Sequence, residues 1–139
     1  MMRTLATSRS FFTVAIGVAA IILPAYAARL PHWNVTLPAN PGTSTQRVSI
    51  AAGVLSTDRV FPQNTVHIAF PLKNISSVTQ PYIYKKNWLI DLKLSKKTMM
   101  VSKLNVGMVD RTPTDEVSLF FLNRADAANA RSYLLAHLR

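Results

Sequence analysis

The sequence contains no cysteine among its 139 residues and only four glycines. The lack of cysteine excludes a disulfide framework, a thiolate zinc site and a cysteine nucleophile. The glycines stand alone at positions 17, 42, 53 and 107, so no glycine-rich loop of the kind that cradles a phosphate can form. The nucleophile-elbow and Walker patterns are absent as well. These absences exclude the enzyme classes that such motifs reveal.

Side chains with catalytic or metal-binding chemistry form no cluster in the sequence. His32, His67 and His137 are scattered, and no two of them lie at a metal-binding spacing. Asp110 and Asp115 bracket the segment DRTPTD, where carboxylates more often cap a turn than act as a catalytic pair. We therefore predict no catalytic residues, no metal site, no cofactor and no small-molecule substrate, and a protein that is not an enzyme. An enzyme without a recognisable motif is the alternative.

Acidic residues are also scarce. Six acidic side chains stand against 16 lysines and arginines, the net charge is +10, and no acid occurs before Asp58. Such an excess favours association with an anionic partner, which can be a membrane surface, nucleic acid, an acidic polysaccharide or an acidic protein. A basic surface that is merely solvated accounts for the charge equally well.

The first 27 residues have the pattern of a targeting segment. Arg3 and Arg9 precede an apolar run over residues 11–23, and a proline and the small-residue motif AYA follow it. This pattern predicts a hydrophobic leader helix that is either a signal peptide, cleaved after Ala27, or an uncleaved membrane anchor, and a mitochondrial presequence is a third interpretation. Because the arginines stay on the inner side, the domain is predicted to lie on the extracytoplasmic side, exported across the inner membrane or anchored in it. It would then be periplasmic or secreted, and the mitochondrial inner membrane is the alternative location.

The remaining residues divide into a linker and a domain. Residues 28–45 hold three prolines among polar residues, which predicts a Pro-rich linker, with one short edge strand at residues 33–37. Residues 46–139 are predicted to form a β-rich domain with a C-terminal helix, because strand-like segments precede a segment of helical periodicity.

The clearest strand signal lies at residues 87–94, where apolar and polar side chains alternate. One face carries Trp88, Ile90, Leu92 and Leu94, and the other carries Leu89, Asp91, Lys93 and Ser95. Alternation of period two indicates a strand with one buried face. Composition also predicts a weak strand at 46–55 with a turn or bulge at Gly53, a turn at 56–64, strands at 66–72, 98–109 and 116–122, a turn at Lys96-Lys97 and a loop at 110–115.

The last segment changes to helical periodicity. Ala127, Ala130, Leu134 and Leu138 fall on one stripe, and Asn123 stands where it can cap the helix. We predict a helix at residues 124–138 that packs on the sheet. Trp88, Ile90, Leu92, Phe121, Leu134 and Leu138 are expected to be buried together. The predicted fold class is α+β, with an antiparallel β-sheet or bent barrel of five to seven strands and one C-terminal helix.

Several segments together resemble a pleckstrin-homology-like domain of the bacterial type. They are VSIAAGVLSTDRV, IAFPLKNISSV, NWLIDLKL and VSLFFL, followed by the closing helix. The phrase with Phe70, Pro71, Leu72, Ile75 and Val78 is similar to one common in bacterial members. The resemblance implies a bent antiparallel barrel capped by one C-terminal helix. The predicted helix has no tryptophan, and Tyr133 is its nearest substitute.

A concentration of lysines is the one candidate binding site in the sequence. The predicted site residues are Lys85, Lys86, Lys93, Lys96, Lys97 and Lys103, with Tyr82 and Tyr84 beside them. If strands 87–94 and 99–104 pair through a turn at Lys96-Lys97, several ammonium groups converge at one end of the sheet. Such groups can bind phosphate or carboxylate as point charges. An edge strand whose charges only prevent aggregation is the competing interpretation.

These patterns predict a non-catalytic, exported, β-rich binding domain. Its lysine-rich sheet edge would contact an anionic membrane surface or an acidic protein partner. Nucleic acid is not expected as the partner, because an exported domain seldom meets it. The alternative is a single-span accessory subunit of a membrane protein complex, in a bacterial or mitochondrial inner membrane, with a mainly structural role.

Overall fold

The described residues of the computed structural model, 33–38 and 42–138, form an eight-stranded, mostly antiparallel, open β-sheet followed by one helix. The predicted leader at 1–27 lies outside the described residues. The strands are β1 (Val35–Pro38), β2 (Thr43–Ala51), β3 (Val54–Val60), β4 (Asn64–Pro71), β5 (Ile75–Val78), β6 (Tyr82–Tyr84), β7 (Asn87–Leu104) and β8 (Val109–Phe121). A short 3₁₀ helix at Leu72–Asn74 joins β4 to β5, and α1 spans Arg124–Ala136. The predicted antiparallel sheet with a C-terminal helix is confirmed, although the strands outnumber the predicted five to seven.

Strand β7 organises the sheet. The order is β1-β2-β3-β4-β7-β5, and both β6 and β8 also pair with β7. One edge of β7 pairs with β6 and β5 along its first half and with β4 near its end, while β8 pairs along the other edge. Every element after β3 except α1 and the 3₁₀ helix is therefore joined to this one strand.

A bulge in β7 replaces the predicted turn at Lys96-Lys97. Lys93 pairs with Glu116, and the next pair is Thr98 with Thr114, so β7 accommodates extra residues between them. The turn prediction was wrong because a bulge absorbs additional residues without ending the strand. The bulge is held from outside, since the Ser95 hydroxyl donates to the Asn74 carbonyl at 3.2 Å.

Two other predicted breaks are strand as well. The predicted loop at 110–115 is the first half of β8, where Pro113 is tolerated because an edge strand does not need its N–H. Most of the predicted turn at 56–64 is β3. Asp58 there lies opposite His67 of β4, and its carboxylate is 2.7 Å from the imidazole, so this polar pair stabilises strand pairing.

The core lies between the inner faces of the sheet and α1. Ile90, Leu92 and Leu94 are buried there as predicted. Leu89, predicted on the exposed face, is also buried, because Tyr82 and Phe120 flank it on the neighbouring strands. Of the six residues expected to be buried together, Ile90, Leu92, Phe121 and Leu134 are fully buried, while Trp88 and Leu138 pack partly buried against the core.

Helix α1 begins as the sequence predicted. The Asn123 side chain accepts a hydrogen bond from the Asp126 amide at 2.9 Å, which satisfies one of the unpaired N–H groups of the first turn. Ala127, Ala130 and Leu134 are buried where the helix packs on β5, β7 and β8. The helix ends at Ala136, two residues before the predicted end.

Candidate basic binding surface

The predicted lysine site is not one cluster. Lys93, Lys96, Lys97 and Lys103 lie along β7, which is 18 residues long, and a strand extends by about 3.3 Å per residue. The predicted convergence of strands 87–94 and 99–104 is wrong, because both belong to one continuous strand. The lysines instead form three groups: the turn before β7, the bulge in its middle and its far end.

The first group occupies an unusual turn. Tyr84 pairs with Asn87, and the two residues between them, Lys85 and Lys86, have φ angles of 47° and 73°. A two-residue hairpin loop with both φ angles positive is a type I′ turn, which favours Asn and Gly. Left-handed backbone costs other residues roughly 1–2 kcal/mol each. No hairpin is predicted from these residues, because neither Asn nor Gly is present at the two turn positions.

Apolar side chains surround this turn. Ile83 is 60% exposed and Tyr84 is 54% exposed, and the Lys85 ammonium lies 5.5 Å from the Tyr84 ring centroid. Trp88 of β7 pairs with Ile83 on one side and with Phe121 on the other. Leu122, which follows Phe121 and is 61% exposed, therefore emerges at the same end of the sheet.

Helix α1 adds a third cation at this end. The Arg124 guanidinium lies 5.9 Å from the Trp88 ring centroid. Among residues 82–87 and 121–127, three cations stand against one acid, Asp126. We define this surface as the near tip; it consists of Ile83, Tyr84, Lys85, Lys86, Leu122 and Arg124. Ile83, Leu122 and Arg124 were not predicted, because strand pairing brings them together from separate segments.

Tyr82, a predicted site residue, positions the near tip. Its hydroxyl donates to an Asp91 carboxylate oxygen at 2.7 Å, and Ser118 donates to the other oxygen at 2.6 Å. The hydrogen bond to Asp91, with burial as the next contribution, raises the pKa of Tyr82 to about 12. Through this hydrogen bond Tyr82 fastens β6 to β7, and Tyr84, two residues further along, is the more exposed of the two rings.

The bulge lysines are partly neutralised within the protein. The Lys93 ammonium lies 3.2 Å from the Asp115 carboxylate. This hydrogen bond and the attached positive charge lower the pKa of Asp115 from its usual value. Lys96 and Lys97 are exposed at the bulge. Lys93 is thus engaged with an internal acid, whereas Lys85 and Lys86 form no ion pair with any acid that the structure describes.

The far end of β7 exposes a second apolar hairpin tip. Leu104, Val106, Met108 and Val109 are exposed, with Val106 at 82%; we call residues 104–109 the far tip. Lys103 and Arg111 flank the far tip together with Asp110. Asn105 fixes it to the β3–β4 loop, since its side chain donates to the Pro62 carbonyl at 2.8 Å. Its exposed apolar residues were not predicted as a surface.

The described residues hold no group of three or more histidine and acidic side chains that is arranged to bind a metal ion. Across residues 33–38 and 42–138, no helix is both long and apolar enough to cross a membrane. Comparison with models of protein families, with curated proteins and with solved structures gave no match.

Proposed function

We propose that this protein is a non-catalytic binding domain that attaches to an anionic membrane surface through its near tip. The observation that carries the proposal is the exposure of Ile83 and Tyr84 beside Lys85 and Lys86 on a two-residue hairpin turn. The location outside the cytoplasm rests on the leader pattern and stays a prediction. The resemblance to pleckstrin-homology-like domains, with its bent barrel, also stays a prediction, since no match bears on it.

The chemistry of the near tip fits the boundary between headgroups and acyl chains. Tyrosine rings favour that boundary because they are apolar with one polar end. Ile83 and Leu122 can enter the apolar layer while the cations meet the headgroups. Each lysine or arginine near an anionic leaflet contributes about 1 kcal/mol, so the three cations raise affinity on the order of a hundredfold.

The strain of the turn also supports a binding role. Lys85 and Lys86 adopt a backbone conformation that Asn and Gly adopt at lower cost. Residues retained in an unfavourable conformation commonly occur at functional positions. Two cations at the apex of a hairpin are the gain that offsets this cost.

The accessory-subunit alternative uses the same surface. An uncleaved leader would hold the domain beside the bilayer, where the near tip would add a second contact. The mass of the protein isolated from its source distinguishes the two: a chain that begins at Ala28 supports the exported domain, and a chain that begins at Met1 supports the anchored subunit.

Vesicle co-sedimentation tests the membrane proposal. We expect the protein to sediment with vesicles that contain phosphatidylglycerol and not with phosphatidylcholine alone, and binding to fall as salt rises because surface charges are screened within about 8 Å at physiological ionic strength. The double variant Lys85→Gln/Lys86→Gln should lose most of this binding. Lys96→Gln/Lys97→Gln removes the same charge from the bulge and is the matched control.

The proposal fails if both double variants bind like the wild type, because the lysines would then only solubilise the sheet. Equal loss in both would mean that net charge, rather than the near tip, drives binding. Retained binding to an acidic protein without vesicle binding would assign the near tip to a protein partner.

A further inference from the structure

A groove opens between β8 and the inner face of β2, β3 and β4. Its volume is about 300 Å³. No backbone ladder joins β2 to β8 among the described residues. Instead the buried Gln46 amide of β2 donates to the Phe120 carbonyl at 2.9 Å and accepts from the Phe120 amide at 2.9 Å. This one side chain holds β2 beside β8 and fixes one wall of the groove.

The groove contains Arg59, a cation that makes no ion pair within residues 33–38 and 42–138. The Arg59 guanidinium lies 4.0 Å from the Phe120 ring centroid and 5.1 Å from that of Phe61. Its Nε is buried and has no hydrogen-bond partner among the described residues. Desolvation by burial lowers the pKa of Arg59, but arginine remains charged in proteins. The charge is thus held by aromatic faces and is free to meet an anion.

Nearby acids do not neutralise Arg59. Glu116 also lines the groove, yet no carboxylate of the described residues lies within ion-pair distance of Arg59. The two ion pairs among the described residues join His67 to Asp58 and Lys93 to Asp115. Glu116 repels any anion in the groove, and it repels a dianion such as phosphate about twice as strongly as a monoanion, so a monoanion fits the single guanidinium better.

We propose that this groove binds a small apolar molecule that carries one carboxylate. The carboxylate would meet Arg59, whose planar fork matches two carboxylate oxygens. The chain or ring would lie on Val66, Ile68 and Met100, which also line the groove. A mostly apolar lining with few polar groups is typical of ligand sites, and this volume is at their lower limit. At about 30 Å³ per water-sized group, it accommodates roughly ten non-hydrogen atoms.

Octanoate, which has that size, is the probe, and octan-1-ol is its uncharged counterpart. We expect octanoate, added to the purified full chain, to shift the NMR signals of the Gln46 side-chain amide and the Phe120 backbone amide. Octan-1-ol should bind roughly tenfold more weakly or worse, because it lacks the charge that Arg59 recognises.

Variants assign the effect to one side chain. Arg59→Gln should weaken octanoate binding by roughly tenfold or more and leave octan-1-ol binding unchanged. Arg47→Gln removes the same charge from the exposed face of β2 and should change neither. Equal affinity of the wild type for both probes, octanoate shifts at the near tip instead of the groove, or the absence of binding at millimolar octanoate would each overturn the proposal. The wild-type spectra decide the question even if Arg59→Gln does not fold.

Discussion

The two ends of β7 expose apolar hairpin tips that differ in how their turns are built. The near tip turns on two lysines with positive φ, whereas the far tip has Gly107, with a φ of 93°, in its turn. Three cations stand against one acid, Asp126, around the near tip, and Lys103 and Arg111 stand against Asp110 beside the far tip. One strand therefore ends in a strained turn with the larger excess of cations and in an unstrained turn with the smaller excess.

The difference indicates that cations are retained at the near tip although other residues would make its turn more stable. At the far tip, the residue that adopts left-handed backbone most readily occupies the position that needs it. At the near tip, the left-handed positions are occupied by Lys85 and Lys86, which disfavour that backbone conformation and carry charge. We interpret the near tip as the functional end and the far tip as an end that is fixed by Asn105 to the β3–β4 loop.

The largest effect on stability is expected from a change in the core side of β7, the strand that joins the two tips. Leu92 is fully buried in the middle of β7, and Leu92→Ala should lower the free energy of unfolding by about 2–5 kcal/mol, because it leaves a cavity in the core. Urea denaturation measures this. Met99→Ala in the same strand, at a side chain 45% exposed, is the control and should change stability by less than about 0.5 kcal/mol. A small decrease in the free energy of unfolding for Leu92→Ala would mean that β7 contributes little to the packing of the core.

Sequence periodicity predicted this part of the fold and little of the surfaces. Alternation over residues 87–94 identified Leu92 correctly, because one buried face imposes period two. Leu89 was missed because the residues that cover it, Tyr82 and Phe120, come from other strands. The Lys96-Lys97 turn was wrong, since composition alone does not distinguish a bulge from a turn.

The candidate sites were harder to predict because strand pairing assembles them. The near tip combines residues of β6, the turn before β7 and the start of α1. The groove around Arg59 combines β2, β3, β4, β7 and β8. Arg59 belongs to no recognisable sequence motif, and only the structure shows that its guanidinium lies over the rings of Phe61 and Phe120.

The second prediction concerns a variant in which the two turn residues of the near tip are replaced by residues that favour a type I′ turn. Lys85→Asn/Lys86→Gly should raise the free energy of unfolding by about 1–2 kcal/mol, because Asn-Gly fits a type I′ turn better than two lysines do. This is less than the summed cost of the two lysines, because glycine also gains conformational freedom in the unfolded chain. The same variant should lose vesicle binding, since both turn cations are removed. Thermal or urea denaturation and co-sedimentation, run on one preparation, give the two readouts. Unchanged stability would show that the lysines are not strained, and the contrast between the tips would then lose its basis.

Gly107→Ala at the far tip is the matched change in the opposite direction. Nothing lies within 4 Å of the position its added carbon would occupy, so the effect is purely conformational. It should lower the free energy of unfolding by about 1 kcal/mol and leave vesicle binding as it is in the wild type. A loss of vesicle binding here would make the far tip, rather than the near tip, the contact with the membrane.

The smallest effect concerns Lys93, which lies between the two ends. Its hydrogen bond and charge lower the pKa of Asp115 below the usual 3.8. A lowered pKa in the folded state means that this contribution is present above pH 3.8 and disappears as the pH falls through the lowered value. The free energy of unfolding of Lys93→Gln should therefore lie slightly below that of the wild type at neutral pH, and the two should converge in acid. Both partners are about half exposed, so solvent screens the pair and keeps the difference small. A difference that persists below the pKa of Asp115 would mean that Lys93 acts through packing.

Because the charge of Lys93 is engaged with Asp115, we also expect Lys93→Gln to change vesicle binding less than Lys85→Gln does.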